Sequence, residues 1–582
     1  MSLKVTDLQS GDARAVYKNS GMDMRTYKRL QMFVHAEKLI DDKTNLRDGD
    51  VSVFLRLGSD SKSNYYEYEV PLSLTEPGNY STYNAQDQEA VWPQSNMFDF
   101  PLSLFTDLKL ERNAKKRMDN STVTFQTRYS SYDPDKNQNK VTIVGNPSLS
   151  DVRTMMIGVR NNSNAAKDIV VWVNEMRLTD FDQSGGWAAK ANVNLGLSDI
   201  ATLNIAGHVE TVGFGGIDQS LTERRLDDYY QYNIATMVEL GRFLPEKVKL
   251  KAPLFYSITE QRTSPKYNPL DQDILLKDAL DNAGSKAERD SISDASIEKS
   301  TVESFSLSGV SFDIRSKNPM PYDPANFSIS YSYNRQSKQD PTTEFENTYD
   351  YRGSFTYSYT PFVKPFVPLK GLKSKSKHLK FLKEWEFNYL PNNIAFNTNM
   401  SRYYYEQQIR DVSGSGGMAL PTSVSKSFLW DRQFSLTWNL TKSINLSLQT
   451  MTNAHIEEPV GVVNKQLFPD EYEAWKDTVL TSIKNLGTPW NYNQTFNASY
   501  TAPFSKIPVL DYLSFNAKYN ATYTWDRGAQ ISEEIDLGNS VNNQGQLSFD
   551  GRFNFEQLYN KSKYLQKINK RFSSNNLSLI HI

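Results

Sequence analysis

Residues 434–450, FSLTWNLTKSINLSLQT, place an apolar side chain at every second position, break for three polar residues and resume. The first arm sets Phe434, Leu436, Trp438 and Leu440 against Ser435, Thr437 and Asn439. The second sets Ile444, Leu446 and Leu448 against Asn445, Ser447 and Gln449. Successive side chains leave a pleated backbone in opposite directions, so this period of two predicts a hairpin with one greasy face and one wet face. FSISYSYN (327–334) repeats the pattern, with Phe327, Ile329, Tyr331 and Tyr333 opposite Ser328, Ser330 and Ser332. Similar runs extend from NVNLGL (192–197) through LNIAGHV, VKLKAPLFYSI, GSFTYSYT, FNASYTA and LSFNAKYNATYTW to QLSFDGRFNF (546–555), about thirteen strands in all after Trp187. In ESFSLSGVSFDI (303–314) the apolar parity switches at Gly309, which predicts a bulge.

The first 180 residues have another texture. VSVFLRLG (51–58), YYEYEVPLSL (65–74), STVTFQTRY (121–129), MMIGVRN (155–161) and IVVWVNEMRL (169–178) read as strands separated by turn clusters, with one short helix in FDFPLSLFTDLKLERNAKKRM. Residues 1–180 are therefore expected to form a β-sandwich or jelly-roll-like extramembrane module. IVVWVNEMRL is nearly continuous in apolar residues, as in a strand buried on both sides or closing a sandwich, which makes Trp172 a core residue rather than an exposed ring for stacking on sugar. Residues 187–576 read as barrel strands with a charged helical insert at about 273–300 and a helical loop at about 466–487. MSLKVTDLQSGD lacks the basic start and apolar run of a leader, so the start is read as internal. The last six residues, LSLIHI (577–582), read as a sequencing-adaptor scar.

Composition turns the alternation toward a membrane. The wet faces favour Ser, Thr, Asn and Gln over the Lys and Glu of a soluble sheet, and aromatic residues recur near strand ends, as in the girdles of a transmembrane barrel. No window approaches the 18 to 20 apolar residues of a spanning helix, so any crossing is by strands. The expected fold is all-β: a large antiparallel outer-membrane β-barrel, incomplete in this chain, with the N-terminal module attached. Phe327, Ile329, Tyr331, Tyr333, Phe434, Leu436, Trp438 and Leu440 would face lipid. Ser328, Ser330, Ser332, Ser435, Thr437, Asn439, Asn445 and Ser447 would face the lumen. The connections sort into short turns such as TKS (441–443) on one side and long loops (405–428, 453–492 and 526–545) on the other, the barrel pattern, with the short-turn side placed in the periplasm.

Other chemistry has little support. With 65 basic and 67 acidic residues, no field favours nucleic acid, and the absence of cysteine excludes disulfides and thiolate zinc sites. His35, His208, His378, His455 and His581 lack metal-ligand spacing. DPDKNQN (133–139) lacks the glycine and glutamate of a calcium loop, and SGSGG (413–417) reads as a loop tip. The seven lysines of Lys364–Lys383 suit an interfacial rim segment or a solvated loop. No catalytic, cofactor-binding or metal-binding residue is expected.

Longer stretches carry a resemblance. LGSDSKSNYYEYEVPL, VWVNEMRLTDFDQSGGWAAKANVNLGL, MVELGRFLPEKVKLKAPLFYSITEQRTSPKYNPLDQDI and LDYLSFNAKYNATYTWDRG resemble the gliding-motility SprA family, also called Sov, the outer-membrane translocon of the type 9 secretion system. The resemblance implies a very large barrel passing folded cargo proteins across the outer membrane, of which this chain is an internal part. It also implies a PorV-like shuttle barrel and a periplasmic plug protein as partners, and no enzyme activity. A different large barrel such as an uptake receptor, and a soluble β-sandwich adhesin, are the alternatives.

Overall fold

The alternation after Trp187 becomes a single antiparallel sheet in the structure, a computed structural model that describes residues 1–118, 120–220, 223–371, 380–411, 420–528 and 537–573. Ahead of it lie the module strands β1 (Ser2–Leu8), β2 (Ala13–Met22), β3 (Tyr27–Glu37), β4 (Val51–Gly58), β5 (Tyr65–Pro71), β6 (Phe98–Pro101), β7 (Tyr129–Tyr132), β8 (Lys140–Val144), β9 (Val152–Asn161) and β10 (Lys167–Phe181). They form a four-stranded sheet, β1-β10-β3-β6, and a six-stranded sheet, β2-β9-β4-β5-β8-β7. The inward positions of β4, β5, β3 and β10 (Val53, Leu55, Tyr66, Tyr68, Val34, Val171) pack into one buried core. Tyr68 stacks on Phe100 there at 3.9 Å between ring centroids. Helix α1 (Ala85–Val91), capped by the Asn84 side chain, and α2 (Ser103–Lys116), which buries Phe105 and Leu108, complete the module.

Two expectations fail here. STVTFQTRY is not a strand: 121–128 run as loop, and only Tyr129 joins β7. Phe125 leaves the sheet pattern to lie under the Lys116 ammonium, 3.4 Å from its ring centre, so a tertiary contact overrides β-propensity. Trp172 is not core. Ile169, Val171 and Val173 point inward, while Trp172 faces out at 46% exposure with its indole N–H donating to Glu37 at 3.2 Å.

The wall follows: β11 (Ala188–Leu197), β12 (Ala201–Glu210), β13 (Asp227–Glu239), β14 (Leu250–Lys251) and β15 (Pro253–Pro265). Next come a hairpin of β16 (Tyr267–Asn268) and β17 (Asp271–Leu275), and helices α3 (Leu276–Asp281) and α4 (Lys286–Ser296). The remaining strands are β18 (Glu298–Phe312), β19 (Phe327–Gln339), β20 (Thr343–Tyr359), β21 (Asn393–Ile409), β22 (Ser423–Trp438), β23 (Ile444–His455), β24 (Thr488–Thr501), β25 (Leu513–Asp526) and β26 (Ser540–Phe553). Apart from the short β14, β16 and β17, each long strand pairs with the next, so the sheet is an up-and-down meander. Among the described residues β11 and β26 are each paired along one edge only, and the sheet is open.

The predicted bulge is present. The β18–β19 register slips between Leu307 and Val310, and Gly309 has φ 62°. A Cβ there would meet nothing within 4 Å, so a substitution is penalised by backbone conformation alone. Gly309→Ala is expected to cost about 1–2 kcal/mol, and Gly309→Asn less, read from thermal melts. A Gly309→Ala melt equal to that of the native chain would refute the left-handed bulge.

Candidate functional site

The register decides which side chains share a face. Ile329 pairs with Phe355, Tyr333 with Tyr351 and Phe327 with Tyr357, and through β20 and β21 this face continues to Phe396, Phe434 and Leu436. It runs on through Leu448 and Phe496 to Tyr519 and Leu547 at the far edge. In the other direction it passes through Phe305 and Leu307, Leu254 and Ile258, to Ile205 and Val193. Aromatic rings touch across the strands, Tyr333 to Tyr351 at 5.0 Å and Phe327 to Tyr357 at 5.1 Å, pairs that stabilise a sheet.

Ser328, Ser330, Ser332, Ser435, Thr437, Asn445 and Ser447 share the opposite face. There the side chains bond one another across strands: Asn233 donates to Thr259 at 2.7 Å, Thr356 to Asn397 at 3.1 Å and Asn497 to Ser447 at 3.3 Å. Asn439 and Leu440 lie beyond the end of β22, in the turn, rather than on a strand. The Asn439 side chain still accepts from Asn445, whereas Leu440 contributes its carbonyl to the Asn388 N–H at 2.9 Å. The Trp438 indole donates to Asn388 O at 2.8 Å, which leaves its ring on the greasy face with its polar atom satisfied.

The belt is stepped relative to the hydrogen bonds. The row that starts at Ile329, in mid-belt, runs through Phe355 and Thr398 to Arg432, outside it. In the other direction Tyr331, Leu307, Leu254, Val238 and Ala201 form a row that leaves the belt at its opposite border. Rows drift steadily out of a level belt only when the strands are tilted, the geometry that closes a sheet into a barrel. On β20 the apolar positions run from Tyr349 to Tyr359, 11 residues, and a tilted spanning strand needs roughly nine to eleven. Beyond the belt the same face turns charged, at Arg335, Glu303, Arg402 and Lys426. The helix Pro469–Lys484 covers part of this charged margin: Arg402 meets Glu458 at 2.8 Å and lies 4.9 Å over the Trp475 ring.

The connections 198–200, 240–252, 313–326, 360–392, 439–443 and 502–512 lie on one side of the sheet. The connections 211–226, 266–297, 340–342, 410–422, 456–487 and 527–539 lie on the other. The expected contrast is blurred, since 340–342 is a tight turn among the long loops and 360–392 a long one among the turns. Of the run Lys364–Lys383, the described residues 364–371 and 380–383 lie on the turn side, where Phe366 bridges Phe387; residues 372–379, with His378, fall outside the described residues, as do 413–417 and 577–582 with His581.

The module docks on the long-loop side. The hairpin β16–β17 delivers Asp271 and Asp273 to it. Lys109 of α2, fully buried, meets Asp271 at 2.6 Å and Asp273 at 2.8 Å, and donates to Pro147 O at 2.8 Å. Asp273 also accepts from the Tyr66 hydroxyl at 2.6 Å and from Leu149 N at 3.1 Å. Burial, with the carboxylate beside it, pushes the Tyr66 hydroxyl far above its ordinary pKa, so it stays a donor. Arg25 donates to Gln272 O at 2.9 Å and sits 4.5 Å over Tyr267, and Arg117 bonds Glu288 of α4 and Asn282 O.

A second tie lies at the linker, where Lys266 meets Asp182 at 2.7 Å. That bond, with help from Ser184 against burial, holds the Asp182 carboxyl down at about 2. A depressed carboxyl contributes stability that is whole above its unfolded value, near 4, and is lost as pH falls toward 2. Pepsin cleavage within 182–187 should therefore rise between pH 4 and 2 in the native chain, and an Asp182→Asn variant should be cut readily throughout. Identical profiles would refute the tie.

The remaining candidates have structural partners. Asp133 and Asn139 of DPDKNQN converge on the Tyr68 hydroxyl, at 2.6 and 2.9 Å. His35 Nδ1 contacts Val91 O at 2.6 Å, His208 lies 3.0 Å from Glu210, and His455 ends β23.

A wall of tilted strands, apolar on one face, hydroxyl- and amide-lined on the other and open at both edges, is a segment of a large antiparallel β-barrel. Residues 1–280 match the SprA N-terminal family, described as a motility related/secretion protein. This match supports membership of the SprA family. No curated protein matches the chain. Among solved structures, the ferric-catecholate import receptor Fiu from E. coli K12 is similar in its closed form, at 10% identity and a TM-score of 0.20, over 67% of this chain and 69% of that one. Its open form gives 10% identity and a TM-score of 0.19, over 68% and 72%. These scores are too low to guide the reading of any residue.

Proposed function

We propose that the chain is part of the wall of the outer-membrane protein-conducting channel of the type 9 secretion system, passing folded cargo to the cell surface and supporting gliding motility. The observation that carries this reading is the continuous apolar belt backed by a hydroxyl and amide face across an unclosed sheet. A sheet left open after thirteen long strands surrounds a lumen too wide for its own side chains to fill, which suits passage of folded protein. The match to a motility and secretion family supports secreted protein as the cargo. The greasy face would meet outer-membrane lipid, and the wet face water and moving protein. A PorV-like barrel and a periplasmic plug protein would be the channel's partners. With the TKS turn in the periplasm, the module and long loops face outward. The wall performs no chemistry; conduction is passive and energy comes from elsewhere.

Deleting the gene in the cell that makes the protein is the direct test. The deletant is expected to lose surface-exposed proteins and colony spreading together, in a mass-spectrometric census of the cell surface and on soft agar. An unchanged surface census would overturn the channel reading.

A further inference from the structure

The outward face of the six-stranded sheet carries charges that the wall and the module clasp do not use. Glu67, whose side chain is fully buried, accepts from Arg56 Nε at 2.5 Å, Arg128 Nη2 at 2.7 Å and Arg160 Nη2 at 3.0 Å. Glu69 accepts from the Ser52 hydroxyl at 2.5 Å and from Arg160. Burying charges in this way adds little stability over apolar packing of the same volume. The network does fix the guanidinium groups, as a recognition surface requires.

Beside it opens a cavity of about 300 Å³, at the lower end of the range for small-molecule sites and large enough for a sugar ring. Its lining includes Ser52, Glu69, Arg128, Tyr132, Gln138 and Lys140. The Lys140 ammonium has no hydrogen bond or ion pair among the described residues. The Arg128 side chain is 45% exposed and spends one nitrogen on Glu67. The Tyr132 ring stands at the rim, 61% exposed.

We propose that this cavity binds an acidic sugar, the uronate unit of a surface polysaccharide. Lys140 and the free edge of Arg128 supply donors to a carboxylate. Glu69 and the Gln138 carbonyl supply acceptors for ring hydroxyls, and Tyr132 supplies a flat apolar surface for the ring's C–H face. Phosphate suits the site poorly, because the Glu69 carboxylate in the lining repels a dianion and no phosphate oxygen needs an acceptor. A neutral sugar leaves Lys140 unanswered.

The full chain, reconstituted in nanodiscs, would be titrated with tetragalacturonate, with neutral galactotetraose and with tetraglutamate. Tetragalacturonate is expected to bind saturably and more weakly as salt rises, with galactotetraose and tetraglutamate at least tenfold weaker. Lys140→Glu and Tyr132→Ala, both at the rim, should each weaken uronate binding at least tenfold while leaving the melting temperature unchanged. Absence of uronate binding, binding that survives both substitutions, or tetraglutamate binding as tightly as the uronate would each overturn the assignment.

Discussion

The double variant Ile329→Lys/Tyr331→Lys is expected to abolish insertion, whereas Ser330→Lys/Ser332→Lys, one residue along and on the opposite face, should insert nearly as well as the native chain. A lysine facing lipid at mid-bilayer costs about 2–4 kcal/mol, and the register sets both substituted positions within the belt. Two such costs rival the whole stability of an ordinary domain, about 5–15 kcal/mol. On the wet face the same lysines stay in water. The readout is the heat-modifiable folded band after assembly into liposomes. Equal insertion of the two variants would show that the faces are assigned wrongly, and a chain that stayed monodisperse in plain buffer with either pair would instead support a soluble sandwich.

The second large effect concerns the clasp. Lys109→Ala leaves Asp273, whose side chain is fully buried, without its cation, and removing one partner of a buried pair costs about 3–5 kcal/mol. Urea titration followed by limited proteolysis should show the module released well before the native chain unfolds, with new cuts in 266–297. Lys109→Met combined with Asp271→Asn and Asp273→Asn removes all three charges of the clasp while keeping an acceptor for Tyr66 and Leu149, and it should recover most of the loss. An unchanged midpoint for Lys109→Ala would mean that the module is held by other contacts.

The wall was legible because its signal is local. Phe327 to Tyr333 alternate without exception, and the parity switch at Gly309 gave the one irregularity of β18. The strand ends were less so: the greasy alternation stops at Arg335, yet β19 continues to Gln339, since pairing rather than lipid holds its last turns of pleat. The module was harder to read. β2, ARAVYKNSGM, is an edge strand exposed along most of its length and shows no apolar period. Trp172 looked like core because IVVW hides which of two neighbours points inward, and only the partners of β10 decide that. The clasp has no sequence signal, since Lys109 and Asp273 are ordinary charges in ordinary surroundings until the fold brings them together. Asp273 read only as the first residue of the charged insert at about 273–300, and Asp271 fell just ahead of it.

The same clasp bears on the order in which the protein comes into being. Lys109 and Asp273 are separated by 164 residues, and β11, β12, β13 and β15 lie between them. The module has its own core and can collapse early, but it cannot lock until β11 to β15 have followed it, and contacts at such separation form slowly. When β17 arrives, the module captures it and thereby fixes where β15 ends and β18 begins. A sheet of near-identical alternating strands is prone to slip in register, and a folded body gripping one of its loops supplies a reference point from which later strands are laid down.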